Sequence, residues 1–390
     1  MTQAANLAAL GSNASSTGTL GASSFASATI PNSALSANPT FRNRIINGGM
    51  VINQRGYTSQ TVSSTQQFAV DRFRVNATIT SGSTIAQSSD VPSSQTFTNS
   101  YLVTIGTGAV PSGSDYFRFV QAIEGYNIAD FGYGTANAKT TTLSFWIKSS
   151  VTGTYGVGLF TTNASGSSYV GTYTINSANT WEYKTVTIPG DTGGTWSTDN
   201  SAGMYVCWDL GEGPTRSTTA GSWNNATTNF GLTGGTKLAS TSGATWYITG
   251  VQLEVGSAAS PFEVRSYGTE LNLCLRYYYM MSPSTQGSWN TGNSFATGYT
   301  YAGGDGMYYW FSFPVPMRAT PTNLTMSAAS TWSAVVGTVA TPTSATCSGN
   351  TPYYGSFALT GGGCGFGSSG LCGRIRINSS NTYADFSAEL

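Results

Sequence analysis

From residue 42 onward, short runs in which apolar and polar residues alternate are separated by turns rich in Gly, Asn, Ser and Pro. A period of two marks strands that bury one face. The cleanest run is 142–148, TLSFWIK, which puts Leu143, Phe145 and Ile147 on one face and Trp146 on the other. Further strands are predicted at 101–105, 116–123, 155–160, 181–188, 203–210 and 244–255. No long run sustains a 3.6-residue period, so helices are predicted to be minor.

Many strands at this spacing, with no crossover helices between them, predict an all-β chain rather than a parallel α/β fold. Residues 42–266 read as a jelly-roll β-sandwich. Residues 267–390 read as a smaller C-terminal β-sandwich-like domain, and residues 1–41 as an extended N-terminal arm. The segment 270–281, ELNLCLRYYYMM, is a short strand or helix at the join. In FSFPVPM, 311–317, Pro314 and Pro316 predict an edge strand running into a turn. Near the chain end, Ile375 and Ile377 alternate with Arg374 and Arg376. No repeat of fixed period appears, which argues against a regular β-helix.

Charge then narrows the functional classes. Only 8% of the 390 residues are charged, 16 basic and 16 acidic, against roughly 25% in an ordinary soluble domain. With no histidine, a Ser-His triad or His-based metal site is excluded. Scattered Lys and Arg at zero net charge argue against a nucleic-acid groove. Residues 1–41 contain no charged side chain, and they lack both the basic and the continuous apolar parts of a secretory signal. Small residues suit either a solvated tail or an arm that orders on a partner. No apolar run is long enough for a membrane-spanning helix. Among five cysteines, Cys207 and Cys274 are expected as buried thiols, while Cys364 and Cys372 flank a Gly-rich loop able to close a disulfide.

Glycoside hydrolysis needs a carboxylate pair. Asp191 and Asp199 flank one loop and Asp209 and Glu212 another, but turn and hydrogen-bonding roles account for them better, and no catalytic residue is assigned. Glu124, Asp191, Asp199 and Glu254 are the candidates for a structural calcium, the one cofactor considered. Aromatics offer the stronger lead. Sugars stack on aromatic faces while neutral polar groups meet their hydroxyls. Tyr169, Trp196 and Trp223 lie among Asn, Ser and Thr, as do Trp289, Tyr299, Tyr301, Tyr353, Tyr354 and Phe366 among Gly, Asn and Thr. These nine are the glycan-binding candidates, with core or subunit packing as the alternative.

Several stretches resemble bacteriophage tail fibre and tail-associated proteins of marine and cyanobacterial phages. They are NRIINGGMVINQRG at 43–56, VDRF at 70–73, TLSFWIKSS at 142–150, WEYKTVTIPGDTGGTW at 181–196 and the segment 247–278. The resemblance implies a jelly roll similar to carbohydrate-binding modules, a distal receptor-binding domain and usually a homotrimer. It further implies attachment to another virion protein through the arm, a host cell-surface glycan as partner, and a tail-appendage location after synthesis in the host cytoplasm. The alternatives are a structural virion component, such as a head fibre, capsid decoration protein or tail adaptor, and a glycan depolymerase. Neither nucleic-acid binding nor membrane insertion is implied.

Overall fold

In a computed structural model, the described residues are 41–390 except 64–65, 80–81, 164, 227, 282–293, 302–305, 337, 362–371 and 378–382. The expected arm therefore lies outside the described residues, apart from Phe41. Residues 43–390 form one unit, separate from 1–42. The described residues form almost only β-strands and loops, as the alternation predicts, with one short α-helix among them.

The first sandwich pairs two antiparallel sheets. One runs, in spatial order, Gln60–Thr61, Thr84–Ser88, Ser100–Thr104, Thr245–Val255, Thr141–Ser149 and Glu182–Ile188. The other runs Trp223–Asn224, Ser168–Ile175, Gly153–Phe160, Ala202–Asp209, Phe117–Glu124, Phe73–Ala77 and Gln67–Val70. Leu143, Phe145 and Ile147 are fully buried between them, as the alternation requires. Phe119 sits at the centre, stacked on Phe73 at 5.0 Å and touched edgewise by Tyr101 at 4.7 Å and Trp246 at 5.2 Å.

The predicted 244–255 strand carries an irregularity between Thr249 and Gln252. Gly250 adopts φ +62° there, and a Cβ would lie 2.5 Å from the Phe97 ring. Only glycine meets both demands. The loop bearing Phe97 is thereby drawn onto the sheet.

The 270–281 segment resolves into both predicted forms. A helix, Tyr267–Leu275, starts with the Ser266 hydroxyl accepting from the Thr269 amide, and the Tyr278–Met281 strand follows it. That strand joins Ala384–Ser387 and Asn323–Met326 in a small sheet. It packs on a larger sheet ordered Thr338–Ala340, Trp332–Val336, Cys372–Ile377, Ser294–Tyr301, Gly306–Ser312, Tyr354–Thr360 and Ser344–Gly349. Trp332, Phe357, Ile375, Ile377 and Phe386 form the buried layer. The Gly306–Ser312 strand is paired on both sides as far as Tyr308, whereas Phe311 and Ser312, which begin the expected edge segment, pair on one side only, with Gly355 and Tyr354, and the strand stops there. The prolines fall just beyond the ladder, so they cost it no hydrogen bond.

Much of the chain's scarce charge lies between the sandwiches. Glu124 accepts from Arg276 Nε at 2.9 Å, Arg276 Nη2 at 2.5 Å and the Tyr277 hydroxyl at 2.7 Å. Arg72 pairs with Glu389 and lies 3.5 Å from the Tyr277 ring centroid. Asp71 is held by Gln54 and Arg55, and Gln54 reaches on to the Tyr278 carbonyl. Asn47, at φ +60°, is fixed by bonds to Ile52 and Asp71 backbone. The 43–56, 70–73 and 247–278 stretches thus supply much of this joint.

Candidate functional site: an aromatic sheet face

The large sheet of the second sandwich has one face in its core and one outward. Along Gly306–Ser312, Met307, Tyr309 and Phe311 contribute to the core side. Tyr308, Trp310 and Ser312 therefore point outward. Tyr299 is directly opposite Tyr308 on one neighbouring strand, and Tyr354 directly opposite Ser312 on the other. Tyr299, Tyr308, Trp310 and Tyr354 thus form a diagonal stripe across three strands. With strands about 4.8 Å apart and a rise of about 3.3 Å per residue, the stripe is about 16 Å long.

Its rings are accessible: Tyr299 is 38% exposed, Trp310 53% and Tyr354 53%. Tyr299 and Tyr308 stack at 6.3 Å, and the Trp310 indole N–H donates to the Tyr299 hydroxyl at 3.1 Å. Those contacts fix ring orientation before any ligand arrives. Thr297, Ser312, Thr346 and Ser348 flank the stripe on the same face, all exposed. Tyr353, also exposed, adjoins Tyr354. Flat rings beside neutral hydroxyls offer stacking with hydrogen bonding.

The predicted residues divide sharply. Tyr299, Tyr353 and Tyr354 stand at the surface of the second sandwich. Tyr301 lies in the Ser294–Tyr301 strand, but its side chain, like Trp289 and Phe366, is outside the described residues. Tyr169 and Trp196 require correction: they are only 7% and 8% exposed and belong to the first core. Trp223, half-buried, packs on Tyr133, Trp196 and Tyr169 at 5.7, 5.6 and 5.3 Å. The indole N–H groups of Trp196 and Trp223 donate to Asp191 and to the Pro189 carbonyl. Their faces and donors are already used within the fold.

Trp310 and Tyr308 escape sequence reading because the GMYYWFS run is apolar or aromatic at nearly every position. No polar residue marks its outward face. The usable signal was Met307, Tyr309 and Phe311 in one phase, readable only once the partner strands are known.

The four carboxylates considered for calcium have protein partners. Glu124 is held by Arg276 and Tyr277, Asp191 by Trp196 and the Gly193 amide, and Asp199 by Ser201. Glu254 accepts from Gln252 and Ser260. Among the described residues no three His, Cys, Asp or Glu side chains converge as a metal site. Asp209 is fully buried and held by Lys237 at 2.5 Å and the Leu232 amide at 2.9 Å. Asp191 and Asp209 are therefore both buried and both held by partners within the fold. Cys207 and Cys274 are buried free thiols, whereas Cys364 lies outside the described residues.

A second, more enclosed place exists on the first sandwich. Trp146 and Tyr183, directly opposite across strands and 5.4 Å apart, line a cleft of about 380 Å³ with Ser144, Gln95 and residues 259–262. This is where the outward Trp146 of the TLSFWIK run goes.

No protein-family profile matches the sequence, and no curated protein does. Solved structures do match over part of the chain. The enzymatically active domain of bacteriophage CBA120 tailspike protein 4 aligns at 15% identity with TM-score 0.33, covering 55% of this chain and 22% of that one. A putative sugar-binding protein from Bacteroides thetaiotaomicron aligns at 12% identity with TM-score 0.31, covering 55% of this chain and 100% of that one. A family 4 carbohydrate-binding module aligns at 16% identity with TM-score 0.29, covering 54% and 98%.

Proposed function

We propose that the protein is a non-enzymatic glycan-recognition component of a phage tail fibre, acting in adsorption to the host cell surface. The observation that carries the recognition reading is the exposed Tyr299–Trp310–Tyr354 stripe, a preorganised flat platform bordered by hydroxyls. A linear glycan laid along it would stack successive rings on successive aromatics. The tail-fibre assignment rests on the sequence resemblance over 43–278. Under it the arm docks on another virion protein, the first sandwich serves as shaft, and three chains assemble as a homotrimer on the tail. Three weak sites on one fibre then act together through effective concentration. Millimolar affinity per site, about 4 kcal/mol, suffices for retention.

The test uses purified full-length protein and polysaccharide extracted from the host envelope. Trp310→Ala is expected to weaken retention by at least about tenfold, the scale of a central aromatic contact. Its melting temperature should stay within a degree or two, because the ring lies outside the core. Undiminished binding by a Trp310→Ala, Tyr354→Ala double variant would refute the assigned platform.

A further inference from the structure

The aromatic face carries two cations that no described acidic side chain neutralises. In the Cys372–Ile377 strand, Cys372 is opposite Tyr299, Arg374 opposite Thr297 and Arg376 opposite Ser294. The buried pair Ile375 and Ile377 turns to the core, so Arg374 and Arg376 share the face of Tyr299. Arg374 is exposed and Arg376 half-buried. Neither makes an ion pair or side-chain hydrogen bond among the described residues, and Arg376 Nε is buried without a partner. The other described residues on this face, including Thr297, Ser312, Ser333, Val335, Thr346 and Ser348, are uncharged.

Ordinary surface roles explain this poorly. Charges protect exposed sheet edges from pairing, but this strand lies inside the sheet, between Trp332–Val336 and Ser294–Tyr301. A buried guanidinium nitrogen without an acceptor is costly, and such groups in a native fold call for a partner. The acids nearest in sequence are used elsewhere: Glu389 pairs with Arg72 and Arg55, and Asp385 accepts from Tyr278. In a chain with so little charge, two adjacent cations on one aromatic platform, neither with a partner among the described residues, are conspicuous.

We propose that this face takes an acidic polysaccharide, its carboxylates pairing with Arg374 and Arg376 while its sugar rings stack on Tyr299, Trp310 and Tyr354. The proposal rests on the glycan-recognition reading and gives its substrate class. Guanidinium forks suit carboxylates because two parallel N–H donors meet both oxygens. Cross-strand diagonals of about 7–8 Å bring Arg374 within side-chain reach of a ring seated on Tyr299.

The experiment measures retention of full-length protein by polygalacturonate, alginate and hyaluronate, each against its carboxyl-reduced, neutral form. At least one acidic polymer should bind about tenfold more tightly than its reduced form, with the difference shrinking as salt rises. Arg374→Gln with Arg376→Gln should abolish that preference while leaving the melting temperature unchanged. Trp310→Ala should weaken both forms. If reduced polymers bind as well as acidic ones, and Trp310→Ala still abolishes binding, the anionic class is overturned and the glycan platform stands. Retention of none of the acidic polymers also overturns it, leaving the platform to the host-polysaccharide test.

Discussion

Glu212 is a carboxylate whose ionisation the fold opposes. It is 1% exposed, neither oxygen accepts a hydrogen bond, and its nearest cation contact is Arg118 Nε at 3.6 Å. Burial pushes its pKa up from 4.5 to about 7, with Arg118 opposing that shift and Asp209 adding to it. Because the folded value exceeds the unfolded one, the native state binds more protons between them. Stability from this group is therefore highest below pH 4.5 and falls as pH rises towards 7. At about 1.4 kcal/mol per pKa unit, the full loss is about 3 kcal/mol. Glu212→Gln supplies a permanently neutral side chain of the same shape. It should match the parent near pH 4.5 and exceed it by about 3 kcal/mol at pH 8. Urea unfolding of both proteins across that range measures the difference directly. A constant offset, or a variant less stable at pH 8, would refute the argument, since either means that ionised Glu212 is not penalised by its surroundings.

Other perturbations test the joint, the core and the sheet. Glu124→Ala leaves the buried Tyr277 hydroxyl unpaired and Arg276 without its carboxylate, a loss of about 3 kcal/mol seen by urea unfolding; adding Arg276→Met should recover part of it. Phe145→Ala removes a ring packed on Tyr173 and Trp208 and should cost about 3–5 kcal/mol in the same assay. Gly250→Ala sets a side chain against Phe97 in left-handed backbone, and should lower the melting temperature and increase proteolysis in the 89–99 loop.

Alternation alone determined the strands whose two faces differ in polarity. In Thr141–Ser149, Leu143, Phe145 and Ile147 can be buried together only if Trp146 points away, so that assignment needed no coordinates. The same holds for Ile375 and Ile377 against Arg374 and Arg376. Local sequence could not determine which aromatics stay exposed, because stacking partners come from distant strands. Trp223 looks like a loop residue until Tyr169, more than fifty positions earlier, is paired opposite it. Trp310 looks like core until the ladder places it on the far side from Met307. The fate of the carboxylates was equally non-local: Glu124 meets Arg276 across 152 positions. A side chain's period is a property of its own strand, whereas its exposure depends on what the rest of the chain lays against that face.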